Sequence, residues 1–264
     1  MDRPILLNSF NPKHSPDWIC PTCGKGILRI KKDTFLFQIN KCSRESSQED
    51  WWEVEFTESV FTCMLECNND RCNESVVCSG TGGVKQEAYC TYNNYEAEGP
   101  CYEEYFKPQY FEPPLNILCI PSECPDSIRK PIIASFRLFF VSPAAAANHI
   151  RIAIEEILTD LKIPVTTTSI DGKKEVPINL HNRIKQLQEQ HSDFKEFMLA
   201  VKWIGNEGSH RHDTLQKKDV LDVYEMIEHI LTEIYAGKSE NLKNVAKMIN
   251  SKKGKSTDDQ SMQF

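Results

Sequence analysis

The sequence predicts an α+β protein, with a β-rich N-terminal region followed by an all-α helical bundle. Two observations carry this. All 11 cysteines precede residue 125, and every long apolar pattern of helical period follows it. Two cysteine pairs, Cys20/Cys23 and Cys67/Cys72, also bracket segments that read as strands.

Residues 34–39, 51–56 and 59–65 are rich in aromatic and β-branched side chains and suit strands. Gly80, Gly82 and Gly83 follow Val76-Val77 and read as a turn. Residues 90–125 hold many Tyr, Phe and Pro residues without clear periodicity, and read as an extended connector laid across the second domain. The expected organisation is therefore a β-rich domain over 1–89, a connector over 90–125, a helical domain over 126–237, and a short helix with a disordered tail over 238–264.

The helical part has five main segments. The first runs from about Ser127 to Val141, with Pro131 tolerated in or beside its first turn. Ser142-Pro143 is an N-cap followed by proline at the first helical position, and Ile150, Ala153, Ile154, Ile157, Leu158 and Leu161 share the face that follows. Pro164 ends that helix. Leu180, Ile184 and Leu187 mark a third segment. Phe194, Phe197, Met198 and Val201 mark a fourth that stops at Gly205, and Val220 to Ile234 form a fifth closed by Gly237. Residues 240–250 add a short amphipathic helix.

In Cys20-Pro21-Thr22-Cys23-Gly24-Lys25-Gly26, two intervening residues let both sulfurs reach one metal from a tight turn, and Gly24 permits the positive backbone angle that follows the second ligand. The four residues inside Cys67–Cys72 include Asn and Asp, which supply turn chemistry. Four thiolates from two such loops, separated by strands, make a zinc ribbon, and a closed shell of four makes the Zn2+ structural rather than catalytic. Cys63 and Cys78 are near enough to substitute in the second pair. Cys42, Cys63, Cys78, Cys90, Cys101, Cys119 and Cys124 are read as small buried side chains, with a second site at Cys90, Cys101, Cys119 and Cys124 as the alternative.

Residues 1–126 carry 20 acidic and 11 basic side chains, against 18 and 20 in the remainder. The acidic half is a poor general nucleic-acid binder, so RNA is not indicated by charge. No secretory leader opens the sequence and no run approaches the length of a membrane span, so a reducing cytoplasmic setting without membrane contact is expected.

The other chemically loaded stretch is Lys202-Trp203-Ile204-Gly205-Asn206-Glu207-Gly208-Ser209-His210-Arg211-His212. Two readings stand beside each other. His210 is a general base with Lys202 or Arg211 on a phosphate, or the stretch is a helix–helix corner turned at Gly205 and Gly208. No phosphate-cradling glycine loop, serine nucleophile elbow or zincin motif is present.

That stretch, with Ser142-Pro143-Ala144-Ala145-Ala146-Ala147-Asn148-His149-Ile150-Arg151 and Ile154-Glu155, resembles the helical domain of unknown function 4145. The resemblance covers roughly residues 17–236. It implies a compact bundle of the HEPN-like superfamily, met in bacterial proteins beside restriction and antiphage systems, with two protomers commonly paired. Active HEPN ribonucleases place an arginine before a polar residue, with a histidine one turn on. Asn206 and His210 match the last two, Gly205 stands at the arginine position, and Lys202 is the nearest upstream cation. Two functions are carried forward. The first is a binding or adaptor module linked to defence, homodimeric through the helical domain around Asn206 and His210, with a protein partner. The second is a metal-independent ribonuclease using Lys202, Asn206 and His210.

Overall fold

A computed structural model describes residues 2–92, 97–169, 172–188, 191–210, 215–236 and 238–251. The chain opens with a one-turn helix, α1 (Arg3–Leu7), and continues into a five-stranded antiparallel sheet. Its strands are β1 (Leu28–Ile30), β2 (Leu36–Ile39), β3 (Glu58–Cys67), β4 (Ser75–Tyr92) and β5 (Ala97–Glu112). β3 pairs with β4, β4 pairs with β5, and β1 and β2 share the remaining edge of β3. Thr34 bridges the gap between those two short strands: its hydroxyl accepts from the Met64 N–H at 3.2 Å and donates to the Lys31 carbonyl at 2.7 Å.

β3 shows the period-2 alternation that a half-buried strand requires. Phe61, Cys63, Leu65 and Cys67 face the core, while Val60 and Thr62 face outward. On the core side, Phe10, Trp18, Phe35, Phe61 and Phe106 pack mostly edge to face, with centroids 4.8–6.4 Å apart.

The structure corrects three readings in this half. Gly80, Gly82 and Gly83 are not a turn but lie inside β4, because aromatic rings press on their backbone. A Cβ at Gly80 would stand 2.9 Å from the Phe61 ring, and one at Gly82 would stand 2.6 Å from Phe106. Residues 51–56 form no strand. A three-ten turn, Val54–Phe56, enters β3, whose two edges are already taken by β2 and β4. Residues 97–112, read as connector, are β5. Register shifts between Ser79/Gly80 and Gln86/Ala88 break the alternation that would have marked a strand. Residues 41–46 add a helix, α2 (Lys41–Ser46), started by Asn40, whose side chain accepts from the Ser43 N–H at 2.8 Å.

The link to the helices is thus residues 113–125, and it is anchored at both ends. Asn116 Nδ2 donates to the Pro21 carbonyl at 2.7 Å, and the Cys119 N–H donates to Glu228 Oε1 at 2.8 Å. The helices are α3 (Asp126–Phe139), α4 (Pro143–Asp160), α5 (Leu180–Lys185), α6 (Phe194–His210), α7 (Lys217–Tyr235) and α8 (Lys238–Ser251). Between α4 and α5 a small hairpin intervenes, β6 (Thr166–Thr168) with β7 (Glu175–Pro177), which the sequence pattern did not announce. Ser142 caps α4 as expected, accepting from the Ala145 N–H at 3.4 Å. Pro131 sits just past the first turn of α3. α7 ends at Tyr235, and Gly237 and the tail after Ser251 lie outside the described residues.

Gly205 does not stop the fourth helix. α6 runs through it to His210, and the glycine faces α4, where a Cβ would stand 2.9 Å from Arg151 Cβ and 3.3 Å from the Ala147 carbonyl. A glycine inside a helix costs about 1 kcal/mol, and here it permits a close helix crossing.

One core joins the two halves. Phe111 of β5 meets Phe140, just beyond α3, at 5.0 Å between ring centroids. Within the bundle, the buried Ser135 hydroxyl donates to the Ala146 carbonyl at 2.8 Å and accepts from the Tyr224 hydroxyl at 2.7 Å. Burial pushes the Tyr224 phenol well above its usual range. Arg183, buried on α5, donates to the Glu155 carbonyl (3.2 Å), Thr159 Oγ1 (2.9 Å) and the Ile163 carbonyl (3.2 Å), which closes the C-terminal end of α4.

Candidate metal centre

Two loops bring four sulfurs together. In the first, the Cys20 N–H donates to the Gly26 carbonyl (2.8 Å) and the Gly24 N–H to the Cys20 carbonyl (2.9 Å), so the chain folds back within seven residues. Gly24 takes a φ of +62°, the left-handed conformation its position calls for. In the second, the Cys72 N–H donates to the Asn69 carbonyl at 2.7 Å, and the Cys67 N–H to the Glu74 carbonyl at 2.9 Å. Asn68 sews the loops together. Its N–H donates to the Ile27 carbonyl at 3.0 Å, and its Oδ1 accepts from the Ile27 N–H at 2.8 Å.

The sulfurs of Cys20, Cys23, Cys67 and Cys72 all lie within 4.8 Å of one another. Cys20 Sγ is 3.8 Å from Cys72 Sγ, and Cys23 Sγ is 3.7 Å from Cys67 Sγ. Four sulfurs placed tetrahedrally about 2.3 Å from one ion would be about 3.8 Å apart. The donor set therefore fits a single metal ion. Cys20 and Cys67 are buried, and Cys23 and Cys72 half-buried.

The local field divides the thiols. The N–H groups of Gly26 and Lys25 aim at Cys23 and pull it down to about 6, whereas burial pushes Cys67 up to about 12. Gly26 N–H approaches Cys23 Sγ at 3.3 Å, and Asn69 Nδ2 donates to the same sulfur at 3.7 Å. A cation at the centre would supply the charge that lets all four sulfurs ionise together.

The four cysteines picked by spacing are thus the four brought together. Cys63 and Cys78 do not replace any of them. They face each other across β3 and β4, outside the cluster. Among the described residues no second group of metal-ligating side chains forms. Cys63, Cys78 and Cys124 are buried, as small buried side chains should be, but Cys42 and Cys119 are exposed and Cys101 is disulfide-bonded, so that reading holds only in part.

Sequence reasoning overlooked Gly26. A Cβ there would collide with Cys67 Sγ and stand 2.9 Å from Asn69 Cβ. Gly26→Ala is expected to push the loops apart and to weaken metal retention about tenfold or more. Competition with a chromogenic chelator, parent against variant, measures it.

The second candidate cluster lies on α6. Lys202, Asn206 and His210 are spaced four residues apart on one unbroken helix and so share a face. The Lys202 ammonium lies over the Trp203 ring, 3.5 Å from its centroid, and Trp203 is 59% exposed. Lys202 and Asn206 are half-buried, and the His210 side chain, with Arg211 and His212, lies outside the described residues. Arg151, which covers Gly205 from α4, is ion-paired to Glu155 at 3.0 Å and bonded to Asn148 at 3.4 Å.

Residues 8–111 match the model of a domain of unknown function, DUF8608, and residues 134–252 match that of a second, DUF4145. No curated protein and no solved structure matches the chain. No helix among the described residues is long and apolar enough to cross a membrane.

Proposed function

We propose that the protein is a zinc-braced binding module without catalytic activity, its N-terminal half a zinc ribbon and its helical half of HEPN-like descent. Zinc is chosen because four sulfur donors in a closed tetrahedral shell suit it, and such a shell keeps no position for a substrate. One observation carries the non-catalytic reading: among the described residues, the cations at the glycine–asparagine stretch are already engaged. Lys202 sits on Trp203, and Arg151 is paired with Glu155. Neither is held ready for a phosphate. Trp203 instead presents a large exposed aromatic surface of the kind that anchors protein partners. Self-association through the helical half and a role beside restriction or antiphage systems belong to the same reading.

The competing reading, a metal-independent ribonuclease, draws on the shared helical face of Lys202, Asn206 and His210. The test is incubation with tRNA and total RNA in chelator, beside His210→Ala. Both proteins are expected to leave the RNA intact. Cleavage by the parent chain, lost in His210→Ala, would replace the binding module by the ribonuclease.

A further inference from the structure

The segment between α2 and β3 carries two exposed aromatic rings beside a group of unpaired carboxylates. Trp51 is 62% exposed and Phe56 50%, and their rings stand next to each other, 6.2 Å between centroids and inclined at 45°. Trp52 is half-buried with its Nε1 out of solvent, so it holds the segment down while Trp51 and Phe56 stay outside. Turn hydrogen bonds fix the backbone that presents the rings. The Glu49 N–H donates to the Ser46 carbonyl (3.0 Å), the Trp52 N–H to the Glu49 carbonyl (3.1 Å) and the Phe56 N–H to the Glu53 carbonyl (2.9 Å). Single exposed apolar side chains are ordinary, but neighbouring aromatic rings on an ordered backbone are of the kind enriched at interfaces.

The charge around the rings says what a partner must bring. Glu49, Asp50, Glu53 and Glu55 are all exposed, and among the described residues none forms an ion pair or a side-chain hydrogen bond. The cations that precede them in sequence are taken: Lys41 pairs with Glu45 at 3.5 Å, and Arg44 donates to the Ile39 carbonyl at 2.7 Å. Asp50 adjoins Trp51 and Glu55 adjoins Phe56. A cation resting within about 6 Å of either ring centroid therefore also stands in the field of a carboxylate.

We infer that this surface docks a lysine- or arginine-rich segment of a protein partner, whose cations rest on the Trp51 and Phe56 rings and are neutralised by the four carboxylates. Complementarity selects this occupant over the others. Unpaired carboxylates repel a phosphate backbone and an anionic lipid surface. They also repel the same patch on a second copy, which a two-fold contact would bring face to face. An uncharged apolar partner would bury them without a counter-charge. A basic side chain meets both demands, because its stem packs on the rings while its head stays at the carboxylates. This surface deepens the binding-module reading and rests on it, placing a partner site on the N-terminal half and naming the partner's chemistry. RNA cleavage would remove that reading without altering the peptide signal described next, whereas loss of the signal with RNA intact overturns this surface alone.

The test is fluorescence anisotropy of a fluorescein-labelled peptide of alternating arginine and serine, titrated with the full chain and its metal at low and at physiological salt. The parent is expected to bind, and to bind more weakly as salt rises. Trp51→Ala is expected to weaken binding about tenfold, the loss typical of an aromatic anchor. Glu53→Gln combined with Glu55→Gln is expected to weaken it by a similar factor, with unchanged circular dichroism and metal content. Glu196→Gln combined with Glu233→Gln removes the same charge from exposed positions of the helical half and is expected to leave binding as it was. A parent that does not bind, or a Trp51→Ala variant that binds as the parent does, would overturn the proposal. So would equal losses in the two carboxamide pairs, which would reduce the contact to overall acidity. A parent dimer in light scattering that Trp51→Ala makes monomeric would also overturn it, by assigning the rings to a second copy.

Discussion

Withdrawing the metal is expected to unfold the N-terminal half while leaving much of the helical content in place. Cys20, Cys23, Cys67 and Cys72 converge from two loops that are otherwise joined by the hydrogen bonds between Asn68 and Ile27, by Thr22 with Glu74, and by the short β1–β3 ladder. Structural zinc in small domains contributes about 10–16 kcal/mol of apparent binding energy at neutral pH. A domain's whole stability is about 5–15 kcal/mol. Losing the ion thus removes an amount comparable with the entire margin. Cys67→Ser is expected to act like a chelator, because it deletes one buried ligand. The checks are elemental analysis, with one zinc per parent chain, and tryptophan fluorescence. Trp18 is buried beside the first loop, so its emission is expected to shift red on metal loss. A parent chain that carries no metal, or keeps Trp18 buried in strong chelator, would end the ribbon reading.

Arg183→Ala is expected to destabilise the helical half by about 3–4 kcal/mol. The side chain is buried and serves three acceptors at the end of α4: the Ile163 carbonyl, Thr159 Oγ1, and the Glu155 carbonyl, which the Thr159 hydroxyl also reaches at 2.9 Å. Burial lowers the pKa of the guanidinium, and the group is held by oxygen dipoles. Truncation strands the Ile163 oxygen and leaves a cavity. Arg183→Lys keeps the charge but cannot reach all three acceptors, and is expected to fall between parent and alanine. By contrast, Arg29→Ala removes only an exposed pair with Asp17, worth at most about 1 kcal/mol. Urea midpoints for the three variants check the order. Equal midpoints for Arg183→Ala and Arg29→Ala would show that the α4 cap carries no weight.

Much of the helical half was legible because its signals are local. Ser142-Pro143 states where a helix starts, and apolar residues at helical spacing state which face is buried. The cysteine loops were legible for the same reason, since two or four intervening residues fix a turn. What misled the reading was glycine. Gly80, Gly82, Gly83 and Gly205 look like punctuation, yet each is placed by a neighbour distant in sequence, such as Phe61, Phe106, Tyr105 or Arg151. Residues 97–112 were misread in the same way, because register shifts in the β4–β5 pairing erase the alternation.

The sequence by itself determined the two-part organisation, the helix starts and the four sulfurs, since backbone geometry and short loops depend only on nearby residues. Only the tertiary structure decided that α6 runs unbroken through Gly205 and that Lys202 lies on Trp203. Only it showed that Leu36, Val60 and Tyr110 on the sheet, and Val245, Met248 and Ile249 on α8, are exposed. These are facts about what each side chain meets across the fold, and such contacts are fixed by packing between segments rather than by any segment's own pattern.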